Sequence, residues 1–324
     1  MKPLALASLL AVFLAGVAAA QDYPNRPIRL IVPFAPGGGT DINARILQDP
    51  LSNVLGQTVV VDNRPGAGSI LGTDLAANAT PDGYTILLCS SSLVVNAVVF
   101  EGLPYDARRD LAPITQIADQ PNLIVVNPSL PAKDLKAFIS LVQSSPGKYT
   151  YGIPGIGTTT HLGSILLLSR FKGDMISVPF KGTGPALTSL IGGEISMYLS
   201  TFASALPHVK NGRLRALAVT GATRAGPLPD VPTVSEAGVP GYVHLTWYGI
   251  VAPAKTPAAI LDKLNKAIVS VLKSSKVSKL YEVQGLHPVP MTRVQFAKYI
   301  NEEHKKWEAV VRDAKIPRRT LGGR

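Results

Sequence analysis

The feature that most constrains this chain is a regular handover from strand-like to helix-like segments, with small residues concentrated at the handovers. "PIRLIVPFA" is followed by "TDINARILQDPLSNVL" and then by "TVVVDN". "NLIVVNP" precedes "AKDLKAFISLVQS", "YTYGI" precedes "THLGSILLLSRF", and "MISVPF" precedes "GPALTSLIGG". Alternation of this kind predicts an α/β fold with mostly parallel sheets. After the first junction Ile42, Ile46, Leu47, Val54 and Leu55 recur at helical spacing, and Pro50 inside that pattern predicts a kink or break.

The junctions carry the chemistry. Gly37, Gly38 and Gly39 stand between the first strand and its helix, followed by Thr40 and Asp41. Three consecutive glycines cost backbone entropy, so the site must need left-handed dihedrals or a close approach by something else. A helix start also exposes free N–H groups that suit an anion. Comparable junctions follow at Gly155-x-Gly157, before a helix beginning at Thr159 to His161, and at Gly182-x-Gly184; Ser90, Ser91 and Ser92 end another strand. Ligands of open α/β sheets bind beyond the carboxyl ends of the strands. Two such loops from each half of the chain would line a cleft suited to negative charge. Gly66-x-Gly68 does not extend to a dinucleotide fingerprint, because Leu71 stands where a third glycine or alanine belongs, and no phosphate-loop motif occurs.

Residues 1–20 combine Lys2, an apolar run from Leu4 to about Val17 and Ala18-Ala19-Ala20, which predicts a secretory leader cleaved near Ala20/Gln21 and a periplasmic address. The roughly 300 residues that follow are enough for two lobes. The single cysteine, Cys89, excludes an intrachain disulfide and reads as a small buried hydrophobe in "YTILLC". A net charge of +11 attracts anions, but the basic residues are scattered apart from Lys305-Lys306 and the tail "RRTLGGR", and no nucleic-acid motif accompanies them. No nucleic-acid partner is expected. No metal-ligand spacing is present, and Gly-x-Ser-x-Gly and His-Glu-x-x-His are absent. His161 is the best catalytic candidate, so a secreted hydrolase using His161 and a cleft serine is the alternative reading. His208 reads as a residue near a helix end.

Eight motifs occur in order: "YPNRPIRLIVPFAPGGGTD", "VVVDNRPGAGS", "ATPDGYTILL", "GTTTHL", "PFKGTGPALTSLIGGEI", "ALPHVKNGRLRALAVT", "LPDVPTVSEAGVPGY" and "WYGIVAPAKTP". Together they resemble the tripartite tricarboxylate transporter receptors, also called the Bug family, over essentially the whole mature chain. The resemblance implies a type II periplasmic binding protein fold, two α/β lobes with a ligand cleft between them. The first lobe would take 23–122 plus 240–324 and the second 123–239, with the Pro-rich stretch 225–242 as an extended connection. It implies a monomer without cofactor or catalytic residues that closes over a small organic carboxylate and delivers it to membrane permease subunits.

Carried over by motif, the ligand-binding residues would be Phe34, Ala35, Gly37, Gly38, Gly39 and Asp41 around Pro36, then Ser90, Ser91 and Ser92. The second lobe would add Gly157, Thr158, Thr159 and His161, and Lys181 with Gly182. This chain departs from the family pattern at Ser200, where many members carry Asp, and at Ile153-Pro154. With Trp247, Tyr248 and Phe202 near the family's pocket, these departures point to an aromatic or medium-chain acid rather than citrate or an amino acid.

Overall fold

The computed structural model describes residues 23–313 and 316–321; the leader expected over 1–20 lies outside the described residues. In the first sheet, β1 (Ile28–Val32) pairs in parallel with β2 (Val59–Asn63) and with β3 (Thr85–Ser90). β10 (Leu245–Pro253) then joins antiparallel between β3 and β5 (Leu111–Val126). In the second sheet, β6 (Thr150–Ile153) pairs in parallel with β7 (Ile176–Pro179) and β8 (Met197–Thr201). Both β8 and β9 (Arg215–Val219) pair antiparallel with β5.

The two sheets therefore share one strand. Residues 111–121 of β5 pair with β10, and residues 122–126 pair with β8 and β9. β1, β2 and β3 pair in parallel, as do β6, β7 and β8, as the alternation predicts. β5 and β10 run against their neighbours because β5 carries the chain into the second lobe and β10 follows the return. Residues 225–242 form a series of turns with one isolated bridge between Val219 and Thr233, not the extended run expected, because Val234, Val239 and Tyr242 fold back onto the core of the second sheet.

Each sheet is covered on both faces, so its strands are apolar on both sides rather than alternating. Ile28, Leu30 and Val32 pack on Leu47 and Leu51 of α1 (Gly39–Leu55), while Ile31, Leu87 and Cys89 face the opposite core. That second core includes Val94 and Val98 of α3 (Ser92–Val99) and Phe296 and Trp307 of α10 (Arg293–Asp313). Cys89 is 1% exposed, and burial pushes its thiol up to about 12, so it behaves as the small hydrophobe the sequence suggests. In the second lobe, Ile124, Val126 and Leu199 share a core with Phe138, and Leu123, Val125 and Tyr198 share one with Leu187 and Leu206.

Of the kink or break expected at Pro50, the break does not occur: the helix runs unbroken from Gly39 to Leu55. Pro50 and Ile46, whose carbonyl loses its partner, are both only half-buried, so water can reach the unpaired group.

Among the described residues, no helix is long and apolar enough to cross a membrane, and no cluster of three His, Cys, Asp or Glu could hold a metal ion.

Candidate ligand-binding site

The strand-to-helix junctions of both sheets meet at the seam between the lobes. A cavity of about 30 Å³ sits there, lined by Phe34, Gly38, Gly39, Thr40, Ser90, Ser92, Pro154, Thr158, Thr159, Thr160, Thr183, Thr201, Thr246 and Tyr248. None of these is charged. Four of them are the first residues of helices: Gly39 of α1, Ser92 of α3, Thr159 of α5 (Thr159–Phe171) and Thr183 of α6 (Thr183–Ile191). A fifth, Thr201, precedes α7 (Phe202–Lys210).

Helix starts usually take a side-chain cap, worth about 0.5–2 kcal/mol. Here α1, α3, α6 and α7 have no capping side-chain hydrogen bond; only α5 has one, from His161 N–H to Thr158 Oγ1. The N-cap positions of α1 and α6 are Gly38 and Gly182, which have no side chain to offer. The glycines thus leave backbone N–H groups free and add the positive ends of helix dipoles to a site without a cation. Thr160 Oγ1 is buried with no partner among the described residues, although Thr160 lines the cavity. Native proteins seldom leave such a group unpaired without a reason.

The floor is rigid. Gln120 Nε2 donates to Tyr248 Oη, and Thr201 and Ser204 share a hydrogen bond of 2.8 Å. A Cβ on Gly39 would come within 2.9 Å of Gln120 Nε2 and closer still to Tyr248 Oη, so any side chain here would have to displace that hydrogen-bonded pair. At Gly38 the nearest atom would be Thr183 Cβ at 3.6 Å, an ordinary contact.

The lobes touch through bare backbone. A Cβ on Gly184 would lie 2.6 Å from the carbonyl oxygen of Pro36, and one on Gly155 would lie 2.7 Å from Gly68 Cα. Ser91 Oγ and Thr159 Oγ1 share a 2.6 Å hydrogen bond across the seam, and Thr159 N–H donates to Ser92 Oγ at 3.2 Å.

The residues expected from sequence fall into four groups. Phe34, Gly38, Gly39, Ser90, Ser92, Thr158 and Thr159 line the cavity. Ala35, Gly37, Ser91, Gly157 and Gly182 lie on the seam: Gly182 packs against Ala35, Gly37 faces Gly184, Ser91 bonds Thr159, and Gly157 packs against Phe100 and Asn96. Lys181 lies outside the cavity, on a larger chamber nearby.

The rest stand behind the lining. Asp41 accepts from Gly37 N–H at 3.0 Å, Arg45 Nε at 2.9 Å and Asn63 Nδ2 at 3.0 Å, bracing the glycine loop. Ser200 is fully buried and donates to the carbonyl of Thr201, while Thr201 on the opposite side of the strand reaches the cavity. Trp247 packs edge-on to Phe296 and Tyr299 and donates to Glu303 at 3.0 Å beneath the C-terminal helix. Ile153 and Phe202 are core residues, so of Trp247, Tyr248 and Phe202 it is Tyr248 that lines the cavity, together with Phe34.

His161 Nδ1 accepts from Gly157 N–H at 3.2 Å. Burial, with Arg319 nearby, pulls its pKa down to about 4, so the ring is neutral near pH 7. No serine hydroxyl among the described residues bonds to it. Sequence reasoning missed Thr40, Thr160, Thr183, Thr201 and Thr246; for the first three the available signal was a threonine in the first turn after a glycine or hydroxyl-rich loop.

A family model described as the tripartite tricarboxylate transporter family receptor matches residues 43–316. BugT of Bordetella pertussis is 38% identical over 315 residues, covering 95% of this chain and 97% of BugT. The structure of the periplasmic binding protein BugD matches with a TM-score of 0.89 at 30% identity, over 92% of this chain and 100% of that one. A protein from R. palustris solved with adipate matches with a TM-score of 0.89 at 33% identity, over 91% and 99% of the two chains. The architecture is the two-lobed type II fold of periplasmic binding proteins.

Proposed function

Because the chain belongs to the tripartite tricarboxylate transporter receptor family, we propose that it captures a small organic carboxylate between its lobes and delivers it to membrane permease subunits of such a transporter. The observation that carries this is the convergence of uncapped helix starts on a hydroxyl-lined cavity without fixed charge, where the Thr160 hydroxyl has no partner. A carboxylate supplies the acceptors that those N–H and O–H groups lack. The relative solved with adipate binds a molecule of this class. In this account residues 23–122 plus 240–324 and residues 123–239 act as the two closing bodies. The work is done in the periplasm, as BugD's description suggests for a relative.

The chain acts as a receptor and a monomer, without cofactor or turnover. The hydrolase alternative needs a nucleophile within reach of an available base. His161 Nδ1 is engaged by Gly157, Ser91 and Ser92 bond across the seam to Thr159, and Ser90 Oγ accepts from Ser92 N–H. Catalytic geometry can tighten on binding, so chemical integrity of the bound acid is the check on this point.

The test is a calorimetric titration with dicarboxylates, comparing the native chain with Thr160→Val. Removing the hydroxyl should cost about tenfold or more in affinity, since a hydrogen bond to a charged group is worth about 1.5–3 kcal/mol. Stability without ligand should hold or rise, because the variant deletes an unpaired buried group. Equal affinity in the two proteins would remove Thr160 from the site. Failure of every carboxylate to bind would remove carboxylate capture itself.

A further inference from the structure

The inner cavity, at about 30 Å³, has room for roughly two water-sized groups. That suits the two oxygens of one carboxylate and nothing larger. The rest of any ligand must lie elsewhere, and the structure offers one continuation. Phe34 and Pro154 line the inner cavity and also a chamber of about 810 Å³ on the same seam. Together they form the neck between the two.

The outer chamber differs in chemistry from the inner one. Its walls include Phe34, Phe100, Phe180, Ile70 and Ile156, so its body is apolar. Its charged lining consists of Lys181 from the second lobe and Arg318 and Arg319 from the C-terminal segment, with no acid among the lining residues. Among the described residues, no carboxylate lies within 4.0 Å of these three cations, whereas eleven other ion pairs form in the same structure.

The basic tail is fixed in place. β12 (Arg319–Thr320) pairs in parallel with β4 (Phe100–Glu101), with Arg319 opposite Phe100. Ile316 N–H donates to the carbonyl of Val311 at 2.9 Å, and Leu321 N–H to that of Glu101 at 3.4 Å. Ile316 and Leu321 pack on the first-lobe core. Arg318 also borders a second surface pocket beside Glu308, which leaves Arg319 and Lys181 as the pair most committed to the chamber. The field of Arg319 reaches the inner site, where it helps keep His161 neutral.

We infer that the chamber closed off by the C-terminal strand is a second anion subsite, in which Lys181 and Arg319 hold the distal carboxylate of an acid whose apolar body passes between Phe34 and Pro154. This rests on carboxylate capture at the inner cavity and narrows its substrate class. The preferred ligand is a dicarboxylate with its two charges at opposite ends of an aromatic ring or an unbranched alkyl chain. Short hydroxylated acids would leave the apolar walls uncovered, and a monocarboxylate would leave both cations unpaired.

The test uses matched pairs on the full chain: benzene-1,4-dicarboxylate against benzoate, and hexanedioate against hexanoate. Calorimetry should give the dianion an advantage of about tenfold or more in each pair. In the double variant Lys181→Ala/Arg319→Ala the ratio within each pair should fall towards one. Both residues are exposed, so folding of the variant is not at stake. Raising the salt concentration should shrink the native ratio, because the distal pair lies near solvent. If both members of each pair bind equally, or the ratio survives the double substitution, the outer subsite is overturned while carboxylate capture stands. If no acid of the four binds, the outer subsite is overturned, and carboxylate capture falls with it only if the wider dicarboxylate titration is silent too.

Discussion

Replacing Gly184 by alanine should weaken ligand binding by between tenfold and a hundredfold while leaving the second lobe folded. Gly184 lies in the first turn of α6 without a left-handed φ, so alanine fits its backbone. Within the helix, alanine is favoured over glycine by about 0.8–1.0 kcal/mol. The obstacle comes from the other lobe, because the new Cβ would stand 2.6 Å from the carbonyl oxygen of Pro36. A backbone carbonyl cannot rotate away as a side-chain tip can, so the lobes must separate. Overpacking of this kind costs about 1–3 kcal/mol, and it falls on the closed state alone. Apparent affinity drops by the fraction of closed form lost. Calorimetry with a binding dicarboxylate reads the affinity, and small-angle scattering reads whether ligand still compacts the protein. Native affinity with native compaction would mean that the ligand-bound form does not close along this seam.

Stability should fall as pH is lowered from about 6.5 towards 4. Burial, with Arg319 in the first case and Lys306 in the second, pulls His161 and His244 down to about 4 from an ordinary 6.5. His161 spends its Nδ1 on Gly157, and His244 Nε2 is buried without a partner. Above pH 6.5 neither the folded nor the unfolded chain is protonated at these rings. Below it, the unfolded chain takes up protons that the folded chain refuses, so the equilibrium moves towards unfolding. The loss is about 1.4 kcal/mol per pH unit for each histidine until the folded values are reached. Urea unfolding at pH 7.5, 6.5 and 5.5 measures it, and His161→Gln and His244→Gln should each reduce the slope, to which His208 and His304, also shifted down by burial, add smaller shares. A flat profile between 6.5 and 5.5 would show that water reaches both rings.

The strand–helix alternation and the glycine junctions were readable because both are local. Period and turn chemistry placed α1, α5 and α6 and brought Gly39, Ser92 and Thr159 to one cavity. Pro50 left kink and break both open because its cost depends on whether the orphaned carbonyl faces water, which only the packed fold decides. Ser200 and Thr201 show a different limit. A one-residue change of strand phase decides which of them meets the cavity, and register is set by pairing with Leu123 and Asn122 far away in sequence. Trp247 sits next to Tyr248 yet points under the C-terminal helix for the same reason. The placement of Arg319 and Thr320 was hidden because a two-residue strand such as β12 carries no periodic signal.

The shared strand has a consequence for how the chain acquires its structure. β5 pairs along one half with β10, which comes more than a hundred residues later, and along the other half with β8 and β9. The second sheet can therefore assemble as soon as Val219 exists. The first waits for residues 245–253 before its centre is filled, although β1, β2 and β3 were made first. Folding should begin in the middle of the sequence and finish by drawing the two ends together. The late-closing contacts are the long-range ones, so the first lobe sets the refolding rate.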